Sequence, residues 1–236
     1  MDMNASLSDF KNTLPAVRQR IVAAAKQAGR QPADVRLVAV SKTVTADRLR
    51  EAIRSGVTRV GENYIQEARE KFSALGDLPV EWHFIGHLQR NKAKYAVRIF
   101  DLIHSVDSIR LADEINYQAG RINKIQSILV QINLAGESSK SGISPATAEQ
   151  LIRHIGTCPH LSLQGLMTLP PFFNAPVKVR PYFEQLHQLK DQFGKMAIEN
   201  VRMDELSMGM TGDFEVAVAE GATLVRIGTA IFGARK

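Results

Sequence analysis

Lys42 is the residue of this chain whose type and position most clearly allow chemistry. It follows the run 35–40, Val-Arg-Leu-Val-Ala-Val, which predicts a buried strand because it is aliphatic and rich in β-branched residues. Thr45 then begins a predicted helix that Gly56 ends. A lysine at the carboxyl end of a buried strand lies where α/β proteins place their chemistry, and partial desolvation makes its neutral amine accessible. Such an amine can form a Schiff base with a carbonyl compound.

The segments 207–213 and 228–229 have the composition of a phosphate site. They combine small residues, whose backbone N–H groups can approach an anion closely, with the hydroxyl groups of Ser207, Thr211 and Thr229. In (β/α)8 barrels, the loops after strands seven and eight often hold phosphate. The alternative is that the glycines of these segments only end strands and begin helices.

Arg226 lies within the last strand-like run, two residues before Gly228, and we expect it to point into the mouth of the barrel. A buried guanidinium needs an acceptor because leaving it unpaired is costly. The acceptor is either a carboxylate on a neighbouring strand, such as Glu205, or a ring nitrogen of a bound cofactor.

Three histidines and a loop lysine carry weaker signals. His83, His87 and His104 lack the spacing and the cysteine partners of a metal site, so we expect core or loop histidines and no bound metal. Lys140 lies in a Gly/Ser-rich loop, where a solvated cation is the simplest expectation.

The elements that must position these residues are strands alternating with helices. This alternation predicts a parallel sheet, and eight strands in 236 residues predict a single closed (β/α)8 barrel of the TIM type over residues 1–236, with an extra N-terminal helix at 13–28. An open doubly wound sheet is the alternative, although no G-x-G-x-x-G follows the first strand. The predicted strands are Val35–Val40, Arg59–Glu62, Trp82–Ile85, Leu102–Val106, Ile128–Ile132, Ser162–Met167, Asp204–Ser207 and Leu224–Ile227. The later helices are predicted at Ala46–Ser55, Ile65–Leu75, Gln89–Phe100, Ile109–Ala119, Pro145–Ile155, Val179–Phe193 and Phe214–Glu220.

The composition favours a cytosolic protein. The chain has one cysteine, Cys158, which excludes an internal disulfide, and it has neither a signal-peptide core nor a membrane-length apolar stretch. The net charge is +6, and residues 1–60 carry 11 Lys/Arg against 5 Asp/Glu. This surplus is spread over predicted helix faces without interleaved aromatic residues, which favours solvated helices over a nucleic-acid site.

Motifs along nearly the whole chain resemble one family. The chain is similar to the stand-alone pyridoxal 5′-phosphate (PLP) homeostasis proteins of the YggS/PROSC type, whose fold is similar to the N-terminal barrel of alanine racemase. The motifs that carry this resemblance are Ala39-Val40-Ser41-Lys42, Gly61-Glu62-Asn63-Tyr64-Ile65-Gln66-Glu67, Trp82-His83-Phe84-Ile85-Gly86, His104-Ser105-Val106-Asp107, Lys140-Ser141-Gly142, Gly165-Leu166-Met167, Ser207-Met208-Gly209-Met210 and Val225-Arg226-Ile227-Gly228-Thr229-Ala230.

The resemblance implies a role for each candidate site residue. Lys42 would form the Schiff base with PLP, and Arg226 would face the pyridine nitrogen. Asn63 and Met167 would line the ring pocket, and Lys140 would lie near the mouth as a second amine. The phosphate would be held by Ser207, Thr211, Gly228 and Thr229. The pair Thr211-Gly212 departs from the Ser-Ala that is usual in the family, although threonine keeps the hydroxyl.

A carrier is the function that this resemblance favours. Arginine cannot protonate the pyridine nitrogen as a carboxylic acid would, so the ring is a poor electron sink. Racemisation also needs acid/base groups on both faces of the substrate, and no second domain is expected to supply the tyrosine that alanine racemases use. We therefore expect a monomer without enzymatic turnover that buffers PLP or delivers it to apo-enzymes. A PLP-dependent amino-acid racemase or lyase and a PLP-independent phosphosugar-binding barrel are the alternatives.

Overall fold

Eight parallel strands form a closed barrel in the order of the chain. The computed structural model describes residues 3–137, 141–171 and 173–233. The strands are β1 Arg36–Val40, β2 Arg59–Glu62, β3 Glu81–Phe84, β4 Leu102–Val106, β5 Gln126–Ile132, β6 Leu161–Thr168, β7 Val201–Ser207 and β8 Leu224–Ile227. β8 pairs with β1 and closes the ring, with Val38 opposite Arg226. The predicted (β/α)8 barrel is confirmed.

Helices surround the barrel and connect its strands. They are α1 Met3–Gln27, α2 Ala46–Arg54, α3 Ile65–Leu75, α4 Ala93–Ile99, α5 Ile109–Gly120, α6 Pro145–Gly156, α7 Arg180–Gly194, α8 Phe214–Ala219 and α9 Thr229–Phe232. Thr45 caps α2, since its side chain accepts from the amide of Arg48, as the sequence predicts. In the described part of the chain, no helix is both long and apolar enough to cross a membrane.

The first helix begins ten residues earlier than its predicted start at Thr13. A threonine followed by Pro15 reads as a helix start, because proline lacks the N–H that an interior position uses. The apolar stripe nevertheless continues one turn further back to Phe10, which is buried and meets the ring of Phe232 edge-on at 5.7 Å. Tertiary packing therefore extends the helix through the predicted cap, and the Thr13 hydroxyl donates to the carbonyl of Ile231 instead.

Several other predicted boundaries also differ from the structure, and β7, for example, begins at Val201 and not at Asp204. The helix expected at Gln89–Phe100 is a short 3-10 turn, Arg90–Lys92, followed by α4. β5 begins at Gln126 and not at Ile128, and the side-chain nitrogen of Gln126 donates to the carbonyl groups of Phe100 and Asp101, while its Oε1 has no partner among the described residues. A polar residue that finds such partners can lie inside a barrel strand.

Apolar side chains fill two layers of this fold. The larger cluster lies between the strands and the surrounding helices. The smaller one fills the barrel interior with Val38, Leu102, Leu129, Met167 and Leu224. Polar side chains complete that interior, and the loops that follow the strands surround an open mouth above it.

Candidate functional site

A cavity of about 1030 Å³ opens at the carboxyl ends of the strands. Its walls come from the ends of β1, β2 and β8, the loop after β7, and the long loop after β6. The predicted site residues that line it are Lys42, Asn63, Thr211, Arg226, Gly228 and Thr229. A shallower groove of about 1120 Å³ lies outside the barrel between α2 and α5, and none of the predicted site residues lines it.

Lys42 is half-buried in the loop that follows β1, and its two neighbours are anchored. The Ser41 amide donates to the carbonyl of Gly61, which continues the strand pairing of β1 with β2 by one residue. The Thr43 amide donates to Glu67 Oε1 at 2.5 Å. Thr43 has a φ of 67°, a left-handed conformation that a β-branched residue adopts only where its surroundings impose it. The loop therefore holds Lys42 in a set direction.

The anchor of this loop is an ion cluster formed by Glu62, Glu67 and Lys71, which we call the Lys71 clamp. Lys71 Nζ donates to the carbonyl of Ser41 at 2.5 Å, to Glu62 Oε1 at 2.7 Å and to Glu67 Oε1 at 2.6 Å. The Ser41 hydroxyl also donates to Glu62 Oε1, at 2.6 Å. The side chains of Glu62 and Lys71 are 0% and 5% exposed, so both charges are desolvated.

The Lys71 clamp is a site feature that the sequence reasoning missed. Burial raises the pKa of Glu62, while the ammonium of Lys71 opposes the shift. Glu62 Oε2 is buried without a hydrogen-bond partner among the residues that the structure describes, so Lys71 is the main compensation for that carboxylate. The Glu67-to-Lys71 spacing of four residues on a helix was a signal that could have found part of the clamp.

Arg226 points into the barrel interior below the cavity and is 3% exposed. Its Nη1 donates to Ser207 Oγ at 2.5 Å, and its Nη2 donates to the carbonyl of Thr168 at 2.8 Å. Burial lowers the pKa of Arg226 to about 10, and the charge of Asp213 opposes this. The guanidinium therefore stays protonated at neutral pH, and no ion pair with a carboxylate compensates it within the described residues.

The alternative that Arg226 pairs with Glu205 is wrong. Glu205 is bound by Arg36 across the sheet and by the hydroxyl of Thr223 at 2.5 Å. Glu205 and Ser207 are two residues apart on β7, so their side chains lie at different heights along the barrel axis. Arg226 reaches the carboxyl end of β7, where Ser207 lies, and not the level of Glu205.

The loops after β7 and β8 present unused donors to the cavity. The backbone N–H groups of Thr211, Gly212 and Thr229 donate to no other group in the described part of the chain. Gly209 allows the loop after β7 to follow this path. It has a φ of 89°, and a Cβ at residue 209 would lie 2.6 Å from the Cβ of Ala217. Such clustered amides, together with a buried cation, make an anion site.

Asn63 supplies a polar group to the opposite wall. Its Oδ1 is buried without a hydrogen-bond partner among the described residues. The backbone of Gly86 packs closely against the backbone of Asn63, because a Cβ at residue 86 would lie 2.2 Å from the Asn63 carbonyl oxygen. Asn63 lines the cavity, and its buried Oδ1 lies beside the cavity without being exposed to it.

Three further residues expected at the site lie elsewhere or outside the described residues. Ser207 and Met167 are completely buried beneath the cavity and do not line it. The Ser207 hydroxyl contacts Arg226 and His104, whereas Met167 packs in the interior apolar cluster. Direct contacts of Ser207 and Met167 with a ligand therefore stay a prediction from the sequence. Lys140 lies outside the described residues.

The histidines are engaged by neighbouring side chains. His83 and His104 are buried and hydrogen-bonded to each other at 2.9 Å. His87 is exposed, and its Nδ1 lies 3.1 Å from the hydroxyl of Ser141. These contacts agree with the expectation of core and loop histidines.

Sequence comparison finds similar proteins over almost the full chain. The family model described as alanine racemase, N-terminal domain, matches residues 13–236. A protein of Aquifex aeolicus (strain VF5) named pyridoxal phosphate homeostasis protein is 45% identical over 223 residues, covering 94% of this chain and 97% of that protein. A protein of the same name from Escherichia coli (strain K12) is 41% identical over 232 residues, covering 97% and 98%.

Comparison with solved structures also finds a similar protein over almost the full chain. PipY of Synechococcus elongatus PCC7942, in its structure with PLP bound, matches with a TM-score of 0.84 and 35% identity. The match covers 95% of this chain and 100% of that one.

Proposed function

Because the chain belongs to the alanine racemase N-terminal domain family, we propose that it binds pyridoxal 5′-phosphate at the mouth of its barrel and buffers or delivers that cofactor. The observation that carries this proposal is the convergence of Lys42, Arg226 and the unused amides of Thr211 and Thr229 on one cavity. Similar proteins of two bacteria are named for PLP homeostasis, and PipY binds PLP.

The residues of the cavity fit the chemical groups of PLP. Its aldehyde would meet the Lys42 amine, its ring nitrogen an N–H of Arg226, and its phosphate the donors of Thr211, Gly228 and Thr229. Asn63 adds a polar residue to the lining of the cavity. Arg226, without an ion pair in the described chain, gives the site a positive charge that suits a dianionic phosphate. Ser207 and Met167 support this site from beneath.

Lys42 would hold the cofactor covalently and reversibly. Lys42 would supply the amine, and bound PLP would supply an aldehyde able to condense with it, with loss of one water molecule. Hydrolysis would free the lysine and the aldehyde, and exchange with another amine would free the lysine and leave the cofactor joined to that amine. The Lys71 clamp and the left-handed Thr43 hold the backbone of the loop that carries Lys42.

We propose a carrier and not an enzyme because the cavity supports proton transfer poorly. Within the described lining, the ionisable side chains are Lys42, Arg48, Asp213 and Arg226. Arginine is a poor proton donor near neutral pH. Asp213, whose pKa is raised by burial, is the one carboxyl group in the described lining, and the Met210 amide holds it in the loop after β7 at 2.6 Å. A racemase or lyase would need a second acid/base group opposite Lys42. We also propose that residues 1–236 act as one domain and as a monomer, with apo-enzymes as acceptors.

The first experiment tests the covalent link. We expect a visible Schiff-base band when the protein is mixed with PLP, and borohydride reduction followed by peptide mapping should place the label on Lys42. Lys42→Ala should abolish the band and the label, whereas the matched control Lys195→Ala, which removes an exposed lysine, should keep both. Label scattered over surface lysines in the wild type would contradict the proposal.

A second experiment separates a carrier from an enzyme. The loaded protein is incubated with each enantiomer of alanine and of serine, and in parallel with an apo-aminotransferase. We expect no turnover at ordinary enzyme rates and a gain of activity in the apo-enzyme. Racemisation or elimination with a kcat of about 1 s⁻¹ or more would favour the racemase or lyase instead.

A further inference from the structure

Four buried side chains cross the barrel interior in a continuous hydrogen-bonded series. We call Arg226, Ser207, His104 and His83 the buried donor chain. Ser207 Oγ lies 2.5 Å from Arg226 Nη1 and 2.8 Å from His104 Nδ1. His104 Nε2 then lies 2.9 Å from His83 Nδ1. None of the four is more than 3% exposed. His83 Nε2 faces Glu81 Oε2 at 3.6 Å, where the series reaches the solvent-exposed start of β3.

One direction of the hydrogen bonds uses the proton of every partner in this chain. Arg226 has no acceptor, so it must donate to Ser207. The Ser207 hydroxyl keeps one proton to donate, and we infer that His104 Nδ1 accepts it. His104 therefore carries its proton on Nε2 and donates to His83 Nδ1. His83 in turn carries its proton on Nε2, facing the carboxylate of Glu81.

This direction requires both histidines to be neutral. Burial lowers the pKa of His83. The pKa of His104 is lowered well below its ordinary value, first by burial and then by the repulsion that a protonated His83 and Arg226 would exert. A second proton on His104 would also have to lie on Nδ1, where it would compete with the hydroxyl proton of Ser207. The lowered pKa values and the hydrogen bonds therefore both indicate that His83 and His104 are neutral.

We propose that the buried donor chain is a positioning device that holds the guanidinium of Arg226 as a fixed donor toward the ring of bound PLP, with Ser207 supporting Arg226 and not the phosphate. This inference rests on the proposed function of the cavity. Two of the five guanidinium N–H groups are used on Ser207 and Thr168. Because Arg226 lines the cavity, remaining N–H groups can meet a ring nitrogen, which must then be unprotonated.

Ser207 could either support Arg226 or contact the phosphate, and substituting it gives a different binding result in each case. We would titrate Ser207→Ala with PLP and with pyridoxal, which lacks the phosphate. A loose Arg226 should weaken both ligands by a similar factor, about tenfold or more, and shift the visible band of both. The comparison variant Thr211→Ala should weaken PLP and leave pyridoxal unchanged, because Thr211 faces the cavity and Ser207 does not.

Two outcomes of this titration would overturn the inference. If Ser207→Ala weakened PLP alone, Ser207 would be a phosphate contact. If it changed neither affinity nor band position, the chain would have no positioning role. Far-ultraviolet circular dichroism and urea unfolding of each variant establish that it folds before it is titrated.

His104 allows a matched pair of substitutions. Asparagine can place an amide oxygen near the position of Nδ1, so His104→Asn should keep the acceptor for Ser207 and the wild-type band position. His104→Leu removes the acceptor and should shift the band as Ser207→Ala does. Equal band positions in the two variants, with both folded, would contradict the inference.

A measurement without PLP tests the chain apart from the function of the cavity. Nitrogen-15 NMR of the imidazole rings should find His83 and His104 neutral, each with its proton on Nε2, and Ser207→Ala should change the His104 signals. A proton on Nδ1 of either ring would overturn the chain as we describe it. If the wild type fails to label at Lys42 but shows these tautomers, the proposed function fails while the buried donor chain stands.

Discussion

The Lys71 clamp permits a prediction that can be worked out in magnitude. Replacing Lys71 with Met keeps an unbranched stem of similar length and removes the ammonium that contacts Glu62, Glu67 and the Ser41 carbonyl. Glu62 is 0% exposed, and its Oε2 has no partner in the described part of the chain, so its negative charge would be left without a compensating cation. Breaking one partner of a buried ion pair costs about 3–5 kcal/mol, and we expect a loss of this size in the free energy of unfolding.

The loss should grow with pH. The pKa of Glu62 is raised by burial already in the presence of Lys71, and removing the ammonium raises it further. A carboxyl group with a raised folded-state pKa contributes stability below its unfolded value of about 4.3, and loses that stability as pH rises through the folded value. Lys71→Met should therefore be less destabilised at pH 5.5 than at pH 8.

Urea unfolding of the wild type and three variants measures this effect. Adding Glu62→Gln to Lys71→Met removes the stranded charge, so the double variant should recover most of the stability at pH 8. Glu62→Gln alone is the third variant and completes the cycle. Lys71→Met should also slow labelling of Lys42 by PLP, because it releases the Ser41 carbonyl. A cost below about 1 kcal/mol at pH 8, with no recovery in the double variant, would refute the clamp as a buried charge pair.

Other variants test the remaining parts of the site. Gly86→Ala would place a Cβ 2.2 Å from the Asn63 carbonyl oxygen. We expect urea unfolding to show a destabilisation of about 1–3 kcal/mol, and titration to show a lower affinity for PLP. An unchanged affinity would argue against a ligand contact by Asn63. Arg226→Gln removes a buried cation that has no ion pair in the described chain, so PLP affinity should fall at least about tenfold while urea stability is kept; a parallel loss of both would mean that Arg226 is mainly structural. His83 and His104 have pKa values lowered by burial, so the stability that their neutral forms contribute is present above about pH 6.5 and is lost as pH falls below it, by up to about 1.4 kcal/mol per pH unit for each histidine. Urea midpoints that do not change between pH 7.5 and pH 5.5 would contradict the last expectation.

The order of the strands and the position of the reactive lysine are determined locally along the chain. Strand-like runs of four to six residues that end at polar groups predict barrel strands, and Lys42 directly follows one of them. Parallel connection then brings all the carboxyl ends to one face. The local pattern was therefore sufficient to predict the barrel and the place of Lys42, Thr211, Arg226 and Thr229, whereas Asn63 and Gly228 were predicted from the family resemblance.

Only the closed barrel decides which polar side chains face the cavity and which face the interior. Ser207 and Thr211 are four residues apart and both carry hydroxyl groups, yet Ser207 lies beneath the cavity and Thr211 lines it. The contacts of Ser207 with Arg226 and His104 join residues that are 19 and 103 positions apart. No local pattern encodes these distances, because the tilt and register of the strands set the level of each side chain when β8 closes against β1.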